Sequence, residues 1–371
     1  MKVLITGGHF SPAYAIIGEL QKHKHEIVII GRKNPFEGDS HSVSYEYSVS
    51  QERSLPFYEL QTGRFQRKFT SRTINSIGKI PKGLAQAYAL LGKIKPDVVL
   101  TFGGYIALPV AIAAKIRRIP IVTHEQTQGL GLSNTIIAKL ADSVCVSFPS
   151  TRKKITHKRV VLTGNPLREN IFNSIVSVNV EKNTPVLYIT GGSTGAHRIN
   201  RAVLAHLDAL LDRYTLIHQT GDNEFHDFQE VMGKREKLPA HKASRYIVKK
   251  FIFPDEIGDI YKKADLVIGR SGANTTLELI ALNKPALLIP LPHGQSGEQR
   301  ENAELLEKIG IGKIIDQAQI DSEDFVSTID SMIKDLDSYT VSRDIIEQYV
   351  FRDAASKIVA ELNAQYEKKK S

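Results

Sequence analysis

The sequence predicts an α/β protein of two doubly wound, Rossmann-like domains facing a central cleft, and three observations carry that prediction. Short β-branched runs alternate with amphipathic helical patterns along the chain, the signature of βαβ units and parallel sheets. At 371 residues the chain exceeds what one hydrophobic core usually supports, since cores stop growing at roughly 250–300 residues. The pattern also restarts midway. Val3-Leu4-Ile5-Thr6-Gly7-Gly8 and Val186-Leu187-Tyr188-Ile189-Thr190-Gly191-Gly192 each run from a buried strand into a glycine pair and then a helix.

Taken in order, the first half places strands at Val3–Thr6, Glu26–Ile30, Asp97–Phe102, Pro120–His124, Ser143–Ser147 and Arg159–Leu162. The turn tripeptide Gly164-Asn165-Pro166 marks the boundary, giving a first domain over residues 1–164 and a second over 165–342. Strands of the second half are expected at Pro185–Thr190, Tyr214–His218, Arg245–Val248, Leu266–Gly269 and Ala286–Pro290. The mixed-charge tail, about residues 343–371, has no strand after it and is expected to pack back on the first domain as a terminal helix. Cys145 is the only cysteine, which excludes a disulfide framework or a cysteine-based metal cluster and fits a reducing cytoplasm. The first apolar run meets Gly7 too soon to be a signal-peptide core. The most apolar stretch, Val98 to Ile116, is broken by Gly103, Gly104 and Pro109 and reads as strand, loop and helix rather than a membrane span.

Lys and Arg outnumber Asp and Glu by 49 to 40, a net charge of +9 that suits an anionic partner: nucleic acid, phospholipid or a phosphorylated substrate. Between Arg64 and Lys95 there are eight basic residues and no acidic one, interleaved with Phe65, Phe69, Ile74, Ile77, Ile80 and Leu84. One reading is a solvated basic face on core-packing helices. The other is a surface that sits on anionic lipid through Arg64, Lys68, Arg72, Lys79 and Lys82, each worth about 1 kcal/mol near the headgroups.

Three strand-to-helix turns could present free backbone N–H groups to phosphate: Thr6-Gly7-Gly8-His9, Gly191-Gly192-Ser193-Thr194-Gly195, and Gly269-Arg270-Ser271-Gly272-Ala273-Asn274-Thr275-Thr276. Neither half combines Gly-x-Gly-x-x-Gly with a later acidic residue, and no Gly-x-x-x-x-Gly-Lys-Ser/Thr or His-Glu-x-x-His occurs. Arg32, after the second strand, keeps an NADP enzyme open as an alternative. His9 lies where open sheets put their ligands, suiting a base or an acceptor-orienting group. Glu278, early in the helix after the third turn, complements the helix dipole or accepts from a ligand's hydroxyl pair. Arg168 either pairs with an acidic side chain or reaches a diphosphate, and His124-Glu125-Gln126 reads first as a polar loop network.

Gly7-Gly8-His9 with Pro12-Ala13, Gly103-Gly104-Tyr105, His124-Glu125-Gln126, Gly164-Asn165-Pro166-Leu167-Arg168, Gly191-Gly192-Ser193-Thr194-Gly195-Ala196, Arg270-Ser271-Gly272-Ala273, and Gln299 with Asn302-Ala303 follow one another in a series. In that order they resemble the motifs of MurG-type N-acetylglucosaminyltransferases over most of the chain. The resemblance implies a GT-B fold, acceptor on the first domain and UDP-GlcNAc on the second, without metal or other cofactor. It implies inverting transfer of GlcNAc to the C4 hydroxyl of the muramyl sugar of undecaprenyl-diphosphate-linked lipid I, giving lipid II at the cytoplasmic membrane face. The partners implied are the two substrates and an anionic membrane surface, with no nucleic acid.

By residue, the resemblance makes His9 and Glu125 catalytic. It assigns uracil to backbone near Ile252, the ribose hydroxyls to Glu278, and the diphosphate to Ser193, Thr275 and Thr276 with Arg168 nearby. Gln299 falls to the donor sugar, with Thr6, Gly7, Gly8, Thr127, Ala273, Asn274 and Leu277 completing the donor contacts. The first loop is shorter than the family's Gly-Gly-x-Gly-Gly-His, Thr127 stands where the family has Asn, and Phe253-Pro254 and His293–Glu298 look like small insertions. A related transferase with another UDP-sugar or lipid acceptor, and a non-catalytic nucleotide-sugar-binding protein, are the alternative readings.

Overall fold

The computed structural model describes residues 1–8, 10–34, 43–63, 71–173, 184–192, 194–221, 223–253, 256–292 and 297–370, with 71–80 described by backbone alone. The chain divides into two compact units, Met1–Leu167 with Phe351–Ser371, and Arg168–Val350. These divisions fall after 167 and 350, where the sequence reading places them after 164 and 342.

Unit 1 runs β1 (Lys2–Thr6), α1 (Ser11–Lys22), β2 (Glu26–Gly31), α2 (Tyr45–Glu52), β3 (Phe57–Glu59), α3 (Ser71–Ile94), β4 (Val98–Thr101), α4 (Gly104–Ile116), β5 (Ile121–Glu125), α5 (Leu132–Leu140), β6 (Ser143–Val146), α6 (Pro149–Lys154) and β7 (Val160–Leu162). Among the described residues its strands form one parallel sheet in the order β3-β2-β1-β4-β5-β6-β7. The direction of winding reverses between β1 and β4, and at such a switch point the loops leaving the carboxyl ends part to leave a crevice. Both faces are covered: Leu4, Val28 and Val99 meet Leu91, Ile106 and Val110 on one side, and Val3, Ile5 and Ile29 meet Ile16, Ile17 and Leu20 on the other. Burial on two faces is why these strands read as unbroken apolar runs rather than alternating ones.

Unit 2 repeats the plan with α7 (Glu169–Phe172), β8 (Val186–Thr190), α8 (His197–Ala205), α9 (Leu207–Leu211), β9 (Thr215–Gln219), α10 (Asp227–Glu236), α11 (Ala240–Ala243), β10 (Tyr246–Lys249), α12 (Ile257–Lys263), β11 (Leu266–Gly269), α13 (Ala273–Leu282), β12 (Ala286–Leu288), α14 (Glu298–Lys308), β13 (Gly312–Ile314), α15 (Asp324–Lys334) and α16 (Arg343–Tyr349). Its parallel sheet has the order β10-β9-β8-β11-β12-β13, with the switch between β8 and β11. The two-domain, doubly wound α/β architecture expected from the sequence is the one observed.

The tail is two helices. Extended backbone at Val350 ends α16, which stays in unit 2, and α17 (Ala354–Lys370) belongs to unit 1. Ile358, Val359 and Leu362 of α17 enter the same core as Val3, Ile5, Val98 and Val122. Beside them the buried carboxylate of Glu361 receives Nε and Nη2 of Arg159, at 2.7 and 2.8 Å, and Ser143 Oγ at 2.8 Å. Burial opposes ionisation of Glu361, but those donors outweigh it and hold the carboxyl below its ordinary 4.5. No helix among the described residues is long and apolar enough to cross a membrane.

Glu361→Ala is expected to lower stability by about 2 kcal/mol at neutral pH, toward the low end for charged hydrogen bonds because Arg159 is half in water. A lowered carboxyl pKa stabilises fully above 4.5 and loses that contribution as pH falls through the lowered value. Urea denaturation of wild type and variant at about pH 7 and about pH 3 should therefore show a midpoint gap that narrows at the acid end.

Candidate functional site

In unit 1, β1 delivers Thr6, Gly7 and Gly8 to the carboxyl edge of the sheet. Gly7 N donates to Ile30 O at 2.6 Å, fixing the turn to the end of β2. Gly8 has φ +121° and faces Gly103, where any Cβ would crowd Asn134 at 2.9 Å. The loops after β1 and β4 therefore approach backbone to backbone, which only glycine permits. His9 lies outside the described residues. The hydroxyl of Thr6 is buried with no hydrogen-bond partner among the described residues.

Glu125 ends β5 and is buried. Its Oε1 accepts from Thr127 N at 3.0 Å and Thr127 Oγ1 at 2.8 Å; its Oε2 accepts from Gly131 N at 3.1 Å and Asn134 Nδ2 at 2.9 Å. Four donors from its own loop and from α5 match the lone-pair capacity of a carboxylate. Glu125 thus fastens the loop that sequence reasoning assigned to chemistry, and Thr127 is one of its fastenings. Thr101 Oγ1, Thr123 Oγ1 and Asn134 Oδ1 extend the network inward at 2.8 and 3.1 Å. Ser147 Oγ donates to Glu125 O, so its lone pair faces His124 Nε2–H, which also meets Gly164 O at 3.1 Å. Burial holds the His124 ring neutral, its pKa pushed down to about 4.

Sequence reasoning missed Glu46. Burial raises its carboxyl pKa, and it lies under the first glycine turn, so close that a Cβ on Gly7 would come within 2.6 Å of Oε1. A lone acid in the first turn of α2 carries no signal beyond helix-dipole complementarity. Arg32, the residue that kept NADP open, donates Nη2 to Thr62 O at 2.8 Å and lies 4.7 Å above the ring of Tyr105.

In unit 2 the third glycine turn leads into α13, whose N-cap is Gly272 with no side-chain cap. The first intrahelical bond is Thr276 N to Gly272 O, 2.9 Å, so the N–H groups of Ala273, Asn274 and Thr275 precede the helical ladder. Thr275 is half-buried beside them, and the Thr276 hydroxyl is buried without a partner among the described residues. Leu277 faces the core. Ser271 Oγ donates to Gln299 O at 2.6 Å and Gln299 Oε1 accepts Leu291 N at 3.1 Å, so Gln299 ties this turn to the loop after β12.

Glu278, one turn deeper in α13 and 2% exposed, is held from two sides. Arg168 Nη2 is 3.0 Å from Oε1, and Tyr261 OH donates to Oε2 at 3.0 Å. Burial first, and then the Glu278 charge, push the Tyr261 hydroxyl far above its ordinary value, so it stays a donor. The structure thus pairs the two residues that the sequence reading gave to diphosphate and ribose. In the second glycine turn, Gly192 N donates to Thr190 Oγ1 at 3.0 Å, and Ser193 lies outside the described residues. Ile252 is half-buried between exposed Phe251 and Phe253 after β10. Of the basic set, Arg64 and Lys68 lie outside the described residues, Arg72 and Lys79 are placed on α3 by backbone, and Lys82 is exposed on it.

Two doubly wound units, with helix N-termini and polar loops gathered at the carboxyl ends of each sheet, have the architecture of the GT-B class. Residues 6–146 match the glycosyltransferase family 28 N-terminal domain, and residues 186–358 its C-terminal domain. The chain belongs to the MurG-type members of glycosyltransferase family 28. It is 33% identical over 348 residues, 91% of this chain and 92% of the relative, to a UDP-N-acetylglucosamine--N-acetylmuramyl-(pentapeptide) pyrophosphoryl-undecaprenol N-acetylglucosamine transferase of Clostridium perfringens. The transferase of the same name from Lachnoclostridium phytofermentans is 32% identical over 360 residues, 95% of each chain. Among solved structures, Acinetobacter baumannii MurG superposes with a TM-score of 0.68 at 24% identity, covering 98% of this chain and 99% of that one, a likeness of fold.

His124 in unit 1 and His218 in unit 2 are both pushed down to about 4 by burial, from an ordinary 6.5. The unfolded chain binds protons there that the folded chain refuses. Stability should therefore fall as pH drops from 6.5 toward 4, by up to about 1.4 kcal/mol per pH unit for each histidine. Urea midpoints measured across that range should fall in the wild type and fall less steeply in His218→Gln.

Proposed function

We propose that this chain transfers GlcNAc from UDP-GlcNAc, with inversion, to the C4 hydroxyl of MurNAc in undecaprenyl-diphosphate-linked lipid I, forming lipid II. The observation that carries the reading is end-to-end similarity, at 33% identity over 91% of the chain, to a transferase named for that donor and acceptor.

Unit 2 holds the donor. The N-terminal turn of α13, with the Thr275 and Thr276 hydroxyls and Ser193, takes the diphosphate. These fixed dipoles stabilise the charge that grows there as the sugar becomes oxocarbenium-like. Glu278 accepts from the ribose hydroxyls, using lone-pair directions that Arg168 and Tyr261 leave. Arg168, from behind that carboxylate, adds positive charge near the diphosphate. Backbone at Ile252 reads uracil, and Gln299 touches the sugar. Unit 1 holds the acceptor: His9 takes the proton of the attacking hydroxyl, and Glu125 keeps the neighbouring loop in place. Thr6, Gly7, Gly8 and Thr127, donor contacts by the resemblance, lie at the carboxyl edge of the same sheet.

The enzyme acts at the cytoplasmic face of the membrane, as a peripheral protein. What supports this is α3, a helix carrying Arg72, Lys79 and Lys82 among apolar residues, and an acceptor whose undecaprenyl chain stays in the bilayer.

Incubated with labelled UDP-GlcNAc and a short-chain lipid I analogue, the protein is expected to form the disaccharide product, with UDP-glucose and UDP-GalNAc competing poorly. No product despite tight UDP-GlcNAc binding would contradict the reading. Neutralising Lys68, Arg72, Lys79 and Lys82 together should weaken binding to anionic vesicles by at least about tenfold, since each charge contributes about 1 kcal/mol. Unchanged vesicle binding would remove α3 from the membrane surface.

A further inference from the structure

Behind the second glycine turn lies a polar chain that none of the roles above uses. Asp227, at the start of α10, has a side chain 1% exposed, yet it receives three donors. His197 Nδ1 is 2.7 Å from Oδ1, while Asn200 Nδ2 and Asn223 Nδ2 reach Oδ2 at 2.7 and 2.8 Å. Asn200 Nδ2 also donates to Thr220 O at 3.0 Å, which leaves Asn200 Oδ1 to accept from His218 Nε2, 3.0 Å away. His218 Nδ1 then accepts from Tyr246 OH at 2.9 Å. The chain of donors thus runs from Tyr246 through His218 and Asn200 to the carboxylate, each bond polarising the next.

The geometry around this chain is unusually tight. A Cβ on Gly195 would lie 2.0 Å from Thr220 O, and one on Gly221 would lie 2.1 Å from Gly195 N, with both glycines at positive φ. Gly195, at the end of the second glycine turn, is therefore laid directly on Thr220 and Gly221 after β9. His197 and Asn200, in the first turn of α8, join it to Asp227 at the head of α10. The ring of His197 is stacked on Phe225 at 4.0 Å, which fixes its plane.

We infer that Asp227, acting through His197 and Asn200, is a positioning residue for the donor reaction, setting where the second glycine turn presents its groups to the diphosphate. The inference rests on the reading that this turn holds the diphosphate. Replacing Asp227 with Asn removes the charge and turns one acceptor oxygen into a donor, facing His197 on one side or Asn200 and Asn223 on the other, so the clasp is weakened although size and shape are kept. His197→Phe keeps the stack on Phe225 and removes only the donor; being at a partly exposed position, it also serves if Asp227→Asn does not fold.

The test is equilibrium binding of UDP and of uridine to wild type and both variants, with steady-state kinetics on the full-length enzyme. Both variants should lose roughly tenfold in UDP affinity and keep their uridine affinity, while donor KM rises and acceptor KM is unchanged. Unchanged UDP affinity in both variants would overturn the inference and leave the diphosphate reading standing. A matching loss for UDP and uridine would also overturn it, as general damage to unit 2. A wild type that binds uridine as tightly as UDP would instead overturn the diphosphate reading on which the inference stands.

Discussion

The site in unit 2 depends on keeping one charge out of water. Glu278 is almost fully buried, and an ionised carboxylate in such a place is strongly destabilising unless it is paired and hydrogen-bonded. Arg168 and Tyr261 supply both requirements. Because Arg168 stands at the N-cap of α7, Tyr261 ends a turn of α12 and Glu278 belongs to α13, meeting that requirement draws three helices around the carboxyl ends of β8 and β11. Tyr188 packs edge-on against Tyr261 and donates to Gln219, extending the same order to the second glycine turn.

The same device recurs. Glu125 in unit 1 and Asp227 in unit 2 are buried carboxylates at or just beyond strand ends, each satisfied by donors from neighbouring loops and helices. Each replaces solvent with fixed dipoles, which holds the loops at the sheet edges in one arrangement. Glu125 and Asp227 hold loops at the edges of these sheets, while Glu278 holds helices together.

Sequence periodicity exposed the buried strands well, because strands covered on both faces are continuous apolar runs ending in glycine or a polar residue. It failed at β3 and β13, three-residue edge strands too short for any pattern. It failed also at the break between α16 and α17, where mixed charge continues across the change of unit. The glycine turns, and the place of Glu278 in the helix after the third of them, were legible from local motifs. The partners of the buried acids were not: Asn134 is nine residues from Glu125, and His197 is thirty from Asp227. The first comes from the way the loop between β5 and α5 folds back, the second from the pairing of β8 with β9, and local pattern encodes neither. The pairing of Arg168 with Glu278, far apart in sequence, is likewise a product of the fold.

The claim that most needs a direct measurement is that Glu278, already held by Arg168 and Tyr261, still grips the ribose. Binding of UDP and of 2′-deoxy-UDP should be compared in wild type and Glu278→Ala. The account predicts that wild type prefers UDP by roughly tenfold, the worth of one charged hydrogen bond, and that the variant binds both nucleotides equally. A preference of the same size in Glu278→Ala would show that the ribose is read elsewhere and would contradict the account.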